Sequence, residues 1–264
     1  MQIIASNLEG VANIRNGSDH TVQGQEAVIP ILKATDNPRR FICIGTGFYV
    51  STSGIFATAS HVFRDALDST TNIMSGLLVV HFIPPITFIM RKVSKATIHE
   101  RADVAVGALE TLINPQTGQP LRNKVLILTK QIPSLDAEIH TWAYPNALTT
   151  HEGTIGSVSI FPKLYSGKIL EEHREGRDRI MLPGPCYRTD LGIEGGTSGG
   201  PVFDSNGHVF AINSTGIDGT EIAYVSHIQS IGGLPINQYQ LENGEIFENV
   251  TCASLIQKGH IVTV

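Results

Sequence analysis

The chain has 264 residues, of which 41% are hydrophobic and 16% charged, the composition of an ordinary globular protein rather than a disordered one. A formal net charge of −5 gives no electrostatic reason to expect nucleic acid or an anionic membrane as a partner. No apolar stretch reaches the ~18 residues that span a bilayer, because the longest candidate, residues 76–90, is interrupted by His81 and two prolines.

The N-terminal residues and the cysteines predict a cytoplasmic location. The first residues lack the basic segment and the apolar run of a secretory signal. The three cysteines, Cys43, Cys186 and Cys252, are sparse and odd in number, which argues against a disulfide framework. A reducing compartment suits such a protein.

Glycines and prolines recur along the whole chain and separate short apolar runs, a pattern typical of many short β-strands joined by turns. The first series of predicted strands covers residues 27–32, 40–50, 55–59, 77–82, 87–98 and 104–109. The second series covers residues 124–128, 138–143, 153–160, 181–187, 201–203, 209–215 and 221–225. Two groups of about six strands suit an all-β fold of two packed six-stranded antiparallel barrels.

The chain is predicted to be one unit with three parts. We expect the first barrel over residues 27–112 and the second over residues 123–230, with a link near residues 111–122. Residues 231–264 are expected to form a C-terminal extension, packed on the body as an extra strand or helix.

The strongest chemical signal is the run GGTSGGP at residues 195–201. A nucleophilic serine must be exposed, and glycines let a reacting carbonyl approach backbone N–H groups closely. Ser198 is therefore a candidate nucleophile, and the N–H groups of Gly196 and Ser198 are a candidate oxyanion hole. Taken alone, the run is equally compatible with a glycine-rich turn that contains an incidental serine.

Two further motifs contain the partners that a nucleophilic serine requires. His61 follows the small residues TAS at the end of a predicted strand, where an imidazole has room to lean over the junction of two lobes. Asp103 stands at the head of an apolar run, and a buried carboxylate there must be hydrogen-bonded. The Nδ1–H group of His61 would satisfy Asp103 and fix the imidazole tautomer. A structural histidine and a turn-capping aspartate are the alternatives.

The three candidate residues occur in the chain order His, Asp, Ser. This is the order of the chymotrypsin-like double barrel and differs from that of subtilisin and of the α/β-hydrolases. An α/β-hydrolase would also need a helix after the serine, whereas residues 201–203 are typical of a strand. The chemistry needs no metal or other cofactor, and no cysteine and histidine cluster has zinc-site spacing.

From about residue 27 to residue 227 the sequence resembles the trypsin-like serine proteases, and within them the protease domain of the HtrA/Deg group. The matching segments are residues 44–48, 53–54, 189–198, 206–212 and 214–216. The resemblance implies that Ser214, Thr215 and Gly216 pair with the substrate backbone. It also implies that Ser214 supports Asp103.

The same resemblance places the side-chain pocket beside Gly192 and Ile193. Gly192 falls at the pocket floor, where trypsin has its acidic residue, so cleavage after a basic residue is not expected. Ile193, together with Ile222 and Tyr224, implies a small or medium apolar residue before the scissile bond.

Three departures from the family pattern carry information. The disulfide near the histidine of secreted relatives is absent, since Val62 follows His61. Thr197 replaces the aspartate that pairs with a newly cut N-terminus, so activation by N-terminal cleavage is not expected. The residues after position 230 are fewer than the ~50 that a domain usually needs, so no PDZ domain is expected to follow.

The sequence thus predicts a serine endopeptidase that acts on a protein or peptide substrate through an acyl-enzyme, with a possible activating protein partner. The alternatives are an inactive protease-like module that binds peptides, and an effector subunit of a larger assembly. HtrA-like sites are often malformed until a ligand or partner orders their loops. The candidate segments here are residues 186–195 and the polar run at 171–179, which a plain solvated loop would also explain.

Overall fold

The computed structural model describes residues 2–5, 13–15, 21–35, 41–64, 76–83, 87–114, 117–152, 155–241 and 244–264. The first half of the chain contains β1 (Gln2–Ala5), β2 (Asn13–Arg15), β3 (Thr21–Gln23), α1 (Gly24–Ala27), β4 (Val28–Ala34), β5 (Phe41–Tyr49), β6 (Ile55–Thr58), α2 (Ser60–Arg64), β7 (Leu77–Ile83), β8 (Thr87–Ile98) and β9 (Ala105–Leu109). The second half contains β10 (Glu138–Ala143), β11 (Leu148–Glu152), β12 (Ile155–Ile160), β13 (Lys163–His173), β14 (Cys186–Thr189), β15 (Pro201–Phe203), β16 (Val209–Gly216), β17 (Ala223–His227), β18 (Pro235–Ile236), β19 (Tyr239–Gln240), β20 (Ile246–Phe247), β21 (Val250–Thr251) and α3 (Cys252–Gln257).

The first barrel is closed, with the strand order β4-β5-β6-β9-β8-β7 and antiparallel pairing between neighbours. Its central strands β6 and β9 are buried along their whole length. Gly107 in β9 is required by this packing, because a Cβ there would lie 2.3 Å from the Phe56 ring. The pairing of β6 with β9 fixes the positions of the residues that flank these two strands.

The second barrel is also closed, with the order β10-β13-β14-β17-β16-β15. Its core contains Ile139, Tyr187, Val202, Phe210 and Val225. The two six-stranded antiparallel barrels confirm the predicted all-β double-barrel fold.

A hydrogen-bonded junction joins the first barrel to the loop before β15. The N–H of Thr46, on β5, donates to the carbonyl of Ser198 at 2.8 Å. The Thr46 hydroxyl donates to the carbonyl of Gly196 at 2.8 Å and accepts the N–H of Tyr144 at 3.2 Å. One buried threonine of the first barrel thus holds the serine loop of the second.

The predicted strand at residues 124–128 is wrong. This segment runs between the barrels without a strand partner, apart from isolated bridges from Leu128 to Val209 and Thr263. Its buried apolar residues, such as Leu126 and Leu128, belong to a buried connection between the barrels. A short apolar run in the sequence does not distinguish such a connection from a strand.

The strand that replaces it in the second barrel is β13, which the sequence pattern did not reveal. Only Tyr165 and Ile169 of its 11 residues are buried, so it has no regular apolar alternation. The strand is defined by its backbone pairing with both β10 and β14, which a sequence pattern does not show. The first three residues of the polar run at 171–179 therefore belong to β13 rather than to a loop.

Two other predicted strands lie elsewhere. Residues 155–160 of the segment 153–160 form β12, which joins β1 and β11 in a separate three-stranded sheet, and residues 153–154 lie outside the described residues. The predicted strand at 181–187 begins only at Cys186, because residues 181–185 continue the preceding loop.

The C-terminal extension is attached to the first barrel, although it follows the second barrel in the chain. The two-stranded pairs β18-β21 and β19-β20 precede α3. Thr97 of β8 donates a hydrogen bond to the carbonyl of Pro235 at 2.7 Å, and the hydroxyl of Ser51, which follows β5, lies 3.3 Å from that of Tyr239. In the described part of the chain, no helix has the length and apolarity needed to cross a membrane.

Candidate active site

The pairing of β6 with β9 brings His61 against Asp103. Thr58 at the end of β6 faces Ala105 at the start of β9, and the two candidate residues lie just beyond these ends. His61 Nδ1 is 2.9 Å from Asp103 Oδ2, and the His61 backbone N–H donates to Oδ1 at 3.0 Å. The aspartate therefore holds both the ring and the backbone of the histidine, whose side chain remains 46% exposed.

Asp103 is 8% exposed, and its environment favours the ionised form. Burial raises the pKa of this carboxyl, but hydrogen bonds from the His61 ring, the Ser60 hydroxyl and the His61 N–H outweigh it, so the pKa is lowered overall. A carboxylate that remains charged can orient the imidazole and stabilise its protonated form.

The supporting hydroxyl for Asp103 comes from Ser60, not from Ser214 as the resemblance implied. Ser60 Oγ donates to Asp103 Oδ1 at 2.7 Å. The Ser214 hydroxyl instead pairs with Ser226 Oγ at 2.7 Å, on β17. Sequence reasoning missed Ser60, although its place directly before His61 was the available signal.

Ser198 lies in the loop between β14 and β15 and lines the same cleft as His61 and Asp103. Its hydroxyl donates to the carbonyl of Ser214 at 3.3 Å, at the edge of β16. The described hydrogen bonds include none between Ser198 and His61. The structure therefore brings the three residues to one cleft, with the serine hydroxyl directed to β16.

The turn before Ser198 leaves two N–H groups available. The carbonyl of Gly195 accepts the N–H of Asn146 at 2.9 Å, and the carbonyl of Thr197 accepts the N–H of Gly200 at 3.0 Å. Because C=O and N–H point in opposite directions in a trans peptide, these bonds turn the N–H groups of Gly196 and Ser198 the other way. Neither N–H donates to another described residue.

Gly196 has the backbone conformation that this turn requires. Its φ is +91°, in the region that glycine adopts readily, and a Cβ there would lie 2.7 Å from the Tyr144 carbonyl oxygen. A side chain at this position would force the turn to move.

A polar cluster that we call the Glu194 clamp braces the same turn from outside. It consists of Glu194, Asn146 and Lys163: Asn146 Nδ2 donates to Glu194 Oε2 at 2.5 Å, and Lys163 Nζ forms an ion pair with Oε1. The hydrogen bond from Lys163 is the main reason that the pKa of Glu194 is lowered. Asn146 has a left-handed φ of +49°, which its two bonds to the turn maintain. No sequence motif indicated this clamp.

The cleft has a volume of about 360 Å³. It is lined by His61, Arg64, Asp103, Ile180, Met181, Leu182, Ile193, Glu194, Gly195, Thr197, Ser198, Ser214, Thr215, Gly216 and Asp218. Four of the five predicted substrate-binding residues are in this set.

The exception is Gly192, which is not among the lining residues. Its N–H donates to the carbonyl of Glu221 at 3.0 Å, which ties it to the loop between β16 and β17. Ile222 and Tyr224 also differ from expectation, because they pack against Leu182 and Cys186 in a separate apolar cluster.

The loop after β13 borders the cleft and presents two apolar side chains. Ile180 is 84% exposed and Met181 64% exposed, and both line the cleft. Asp178 accepts the N–H groups of Ile180 at 2.9 Å and of Met181 at 2.6 Å, and these bonds lower its pKa to about 2. The run at 171–179 therefore leads into a hydrogen-bonded loop beside the cleft.

Comparisons with known proteins agree with this architecture. The family model of the trypsin-like peptidase domain matches residues 45–212. The active form of the Rv3671c protease from M. tuberculosis is 19% identical, with a TM-score of 0.53 over 87% of this chain and 86% of that one. Deg5 is 18% identical, with a TM-score of 0.54 over 78% of this chain and 86% of that one. At such identities the likeness concerns the fold. Among curated proteins, no sequence matches the chain.

Proposed function

The chain belongs to the trypsin-like peptidase family, and from this premise we propose that it is a serine endopeptidase with His61, Asp103 and Ser198 as its catalytic triad. The observation that carries the proposal is the 2.9 Å contact between His61 Nδ1 and Asp103 Oδ2 at a cleft that Ser198 also lines. A buried, ionised aspartate behind a half-exposed imidazole at a serine-bearing cleft is the arrangement that general-base activation of a hydroxyl requires.

In the proposed reaction, Ser198 Oγ attacks the peptide carbonyl while His61 takes its proton. The tetrahedral intermediate collapses to an acyl-enzyme as His61 returns the proton to the leaving amine, and water then hydrolyses the ester by the same steps. Asp103 keeps His61 in the Nδ1–H tautomer, so that Nε2 is the basic nitrogen. No atom other than those of protein, peptide and water takes part.

The N–H groups of Gly196 and Ser198 are the proposed oxyanion hole. Their carbonyl neighbours are already bonded, so the donors need no rearrangement when negative charge develops on the substrate oxygen. One such preorganised donor is worth roughly 2.7–4 kcal/mol in the transition state.

We propose that substrate binding itself releases the Ser198 hydroxyl. Ser198 Oγ donates to the carbonyl of Ser214 at 3.3 Å, on the strand expected to pair with substrate backbone. A substrate N–H that donates to Ser214 competes for this oxygen, and the displaced hydroxyl turns toward His61. The protein is then regulated by its ligand, and a protein partner that orders the neighbouring loops would act in the same direction.

The proposed substrate is a protein or peptide in extended conformation, with a small or medium apolar residue before the scissile bond. Ile193, which lines the cleft and is itself 8% exposed, supports this preference. We also retain the cytoplasm as the proposed location, supported by three free cysteines, two of them buried.

Cleavage of a diverse peptide library, with products identified by mass spectrometry, tests this proposal. The wild-type protein is expected to cut after small or medium apolar residues, and Ser198→Ala to cut none of the same peptides. A profile dominated by arginine or lysine would overturn the proposed specificity but not the peptidase activity. Peptides that bind without being cut by either protein would instead favour the inactive binding module.

A further inference from the structure

Helix α2 supplies more of the active site than His61 alone. Its five residues also contain Ser60 and Arg64, which lie one turn apart on the same side of the helix. Arg64 Nη2 is 3.3 Å from Ser60 Oγ, and Ser60 Oγ is 2.7 Å from Asp103 Oδ1. A continuous series of hydrogen bonds therefore runs from Arg64 through Ser60 and Asp103 to His61.

The direction of each bond in this series is fixed by chemistry. A guanidinium has only donors, so Ser60 Oγ must accept from Arg64. The single hydroxyl proton of Ser60 then has the ionised carboxylate of Asp103 as its acceptor. Arg64 thus orients a hydroxyl that is completely buried and that would otherwise be free to rotate.

Asp103 has few other partners. Its described hydrogen bonds are those from Ser60 and His61 N to Oδ1 and from His61 Nδ1 to Oδ2. Removal of the Ser60 hydroxyl leaves Oδ1 with one donor, so the carboxylate is held less firmly against rotation about its Cβ–Cγ bond. Such rotation would carry Oδ2 away from the imidazole.

We propose that Ser60 and Arg64 are positioning residues that hold the Asp103 carboxylate in hydrogen-bonding position against His61. This inference rests on the proposed function, since it assigns the two residues to the same triad. Neither residue touches the reacting atoms, and each acts through Asp103. Ser60 thereby performs the role that the resemblance assigned to Ser214.

Kinetics of Ser60→Ala and Arg64→Met test the proposal, with Arg64→Lys as the conservative variant. Loss of a hydrogen bond to a charged group can lower a reaction rate about tenfold. We expect kcat to fall about tenfold in Ser60→Ala and a few-fold in Arg64→Met, with KM little changed, and Arg64→Lys to recover most of the loss. Arg122→Met, which removes an exposed arginine of the link between the barrels, is the matched control and should leave kcat unchanged.

A second measurement does not depend on activity. The proton shared by His61 Nδ1 and Asp103 Oδ2 should give a separate low-field proton NMR resonance. This resonance should weaken in Ser60→Ala and Arg64→Met and persist in Arg122→Met and Ser198→Ala. If the wild type shows this resonance but cleaves no peptide, the proposed function fails and the positioning roles of Ser60 and Arg64 stand.

Wild-type kcat and an unchanged resonance in both variants would overturn the positioning roles of Ser60 and Arg64, as would the absence of the resonance from the wild type. Should Ser60→Ala fail to fold, Arg64→Met still decides the matter, because Arg64 is exposed and its side chain contributes little to the core.

Discussion

Gly196 is the residue whose substitution should most selectively damage the proposed oxyanion hole. Its φ of +91° disfavours a side chain, and a new Cβ would meet the Tyr144 carbonyl at 2.7 Å. The turn must then move, and with it the N–H groups of residues 196 and 198. We expect Gly196→Ala to lower kcat by roughly 10²–10³-fold, the loss that accompanies removal of one oxyanion donor, measured by steady-state peptide hydrolysis.

The neighbouring glycine provides a matched control. A Cβ at Gly195 would have no heavy atom within 4 Å, and its bond to Asn146 uses only the backbone carbonyl. Gly195→Ala should therefore change kcat by no more than a few-fold. Equal losses in the two variants would show that bulk at the cleft, and not the conformation of Gly196, is the cause.

The sequence indicated candidate residues where these lie in motifs of their own, and it missed side chains whose contacts form only when the chain folds. Ser198 and Gly196 lie in a glycine-rich run, and His61 and Asp103 lie at recognisable strand ends. Asn146 and Lys163 reach Glu194 only because the chain folds, and an asparagine in a turn or a lysine at a strand end is too common to indicate a contact.

Among the structural elements, the contact between β13 and the serine loop should affect catalysis. Lys163, at the start of β13, pairs with Glu194, whose side chain is 38% exposed. A partly exposed ion pair is worth about 1 kcal/mol or less. We therefore expect Lys163→Met to lower kcat only about two- to fivefold while the Tm changes little, measured by kinetics and thermal unfolding.

Lys168→Met is the control for this prediction, since Lys168 is an exposed lysine of the same strand whose backbone N–H, and not its side chain, contacts Asp190. It should retain wild-type kcat. A loss in Lys168→Met as large as that in Lys163→Met would assign the effect to the strand rather than to the Glu194 clamp.

The elements themselves were predictable where apolar residues alternate or run together, as in β6, β9 and β16. They were not predictable where pairing alone defines the strand. β13 has only two buried residues, yet it closes the second barrel by pairing on both sides. The apolar segment at 124–128 has the opposite character, because its side chains are buried without a ladder of backbone hydrogen bonds.

For the whole molecule, a buried polar cluster in the first barrel should determine stability in mild acid. Arg91, on β8, is 2% exposed and donates to Asn123 Oδ1 at 2.6 Å and to His81 Nδ1 at 3.2 Å. His81 must therefore accept at Nδ1 and remain neutral. Burial, reinforced by the charge of Arg91, lowers the pKa of His81 from 6.5 to about 4.

This depressed pKa determines how the stability of the folded protein changes with pH. Above pH 6.5 His81 is neutral in both the folded and the unfolded chain, so its contribution to stability is complete. As the pH falls from 6.5 to about 4, the unfolded chain binds a proton that the folded protein excludes, and stability is lost. Over this window the loss amounts to roughly 3 kcal/mol.

Urea unfolding of His81→Gln between pH 7 and pH 4 tests this prediction. Glutamine can accept from Arg91 but does not titrate, so the free energy of unfolding of the variant should fall less steeply with acid than that of the wild type. Parallel curves for the two proteins would mean that the acid sensitivity lies in other groups.

The double-barrel fold was predictable because the number and spacing of short strands limit the architectures that can close without exposed edges. The attachment of the C-terminal extension to the first barrel was not, because it depends on surfaces that only the assembled barrels create. The junction through Thr46 is of the same kind, since it joins residues from both barrels around the serine loop.

In the proposed function, Ser198 is a nucleophile activated by His61 and Asp103. Labelling of the purified protein with a fluorophosphonate, read by intact mass and peptide mapping beside Ser198→Ala, tests it most directly, because removal of such a serine lowers catalysis by about 10⁶-fold. We predict one label per chain, on Ser198, and none on the variant. No reaction of the wild type, either alone or with a peptide at a concentration that leaves part of the clefts free, or equal labelling of Ser198→Ala, would contradict this proposal.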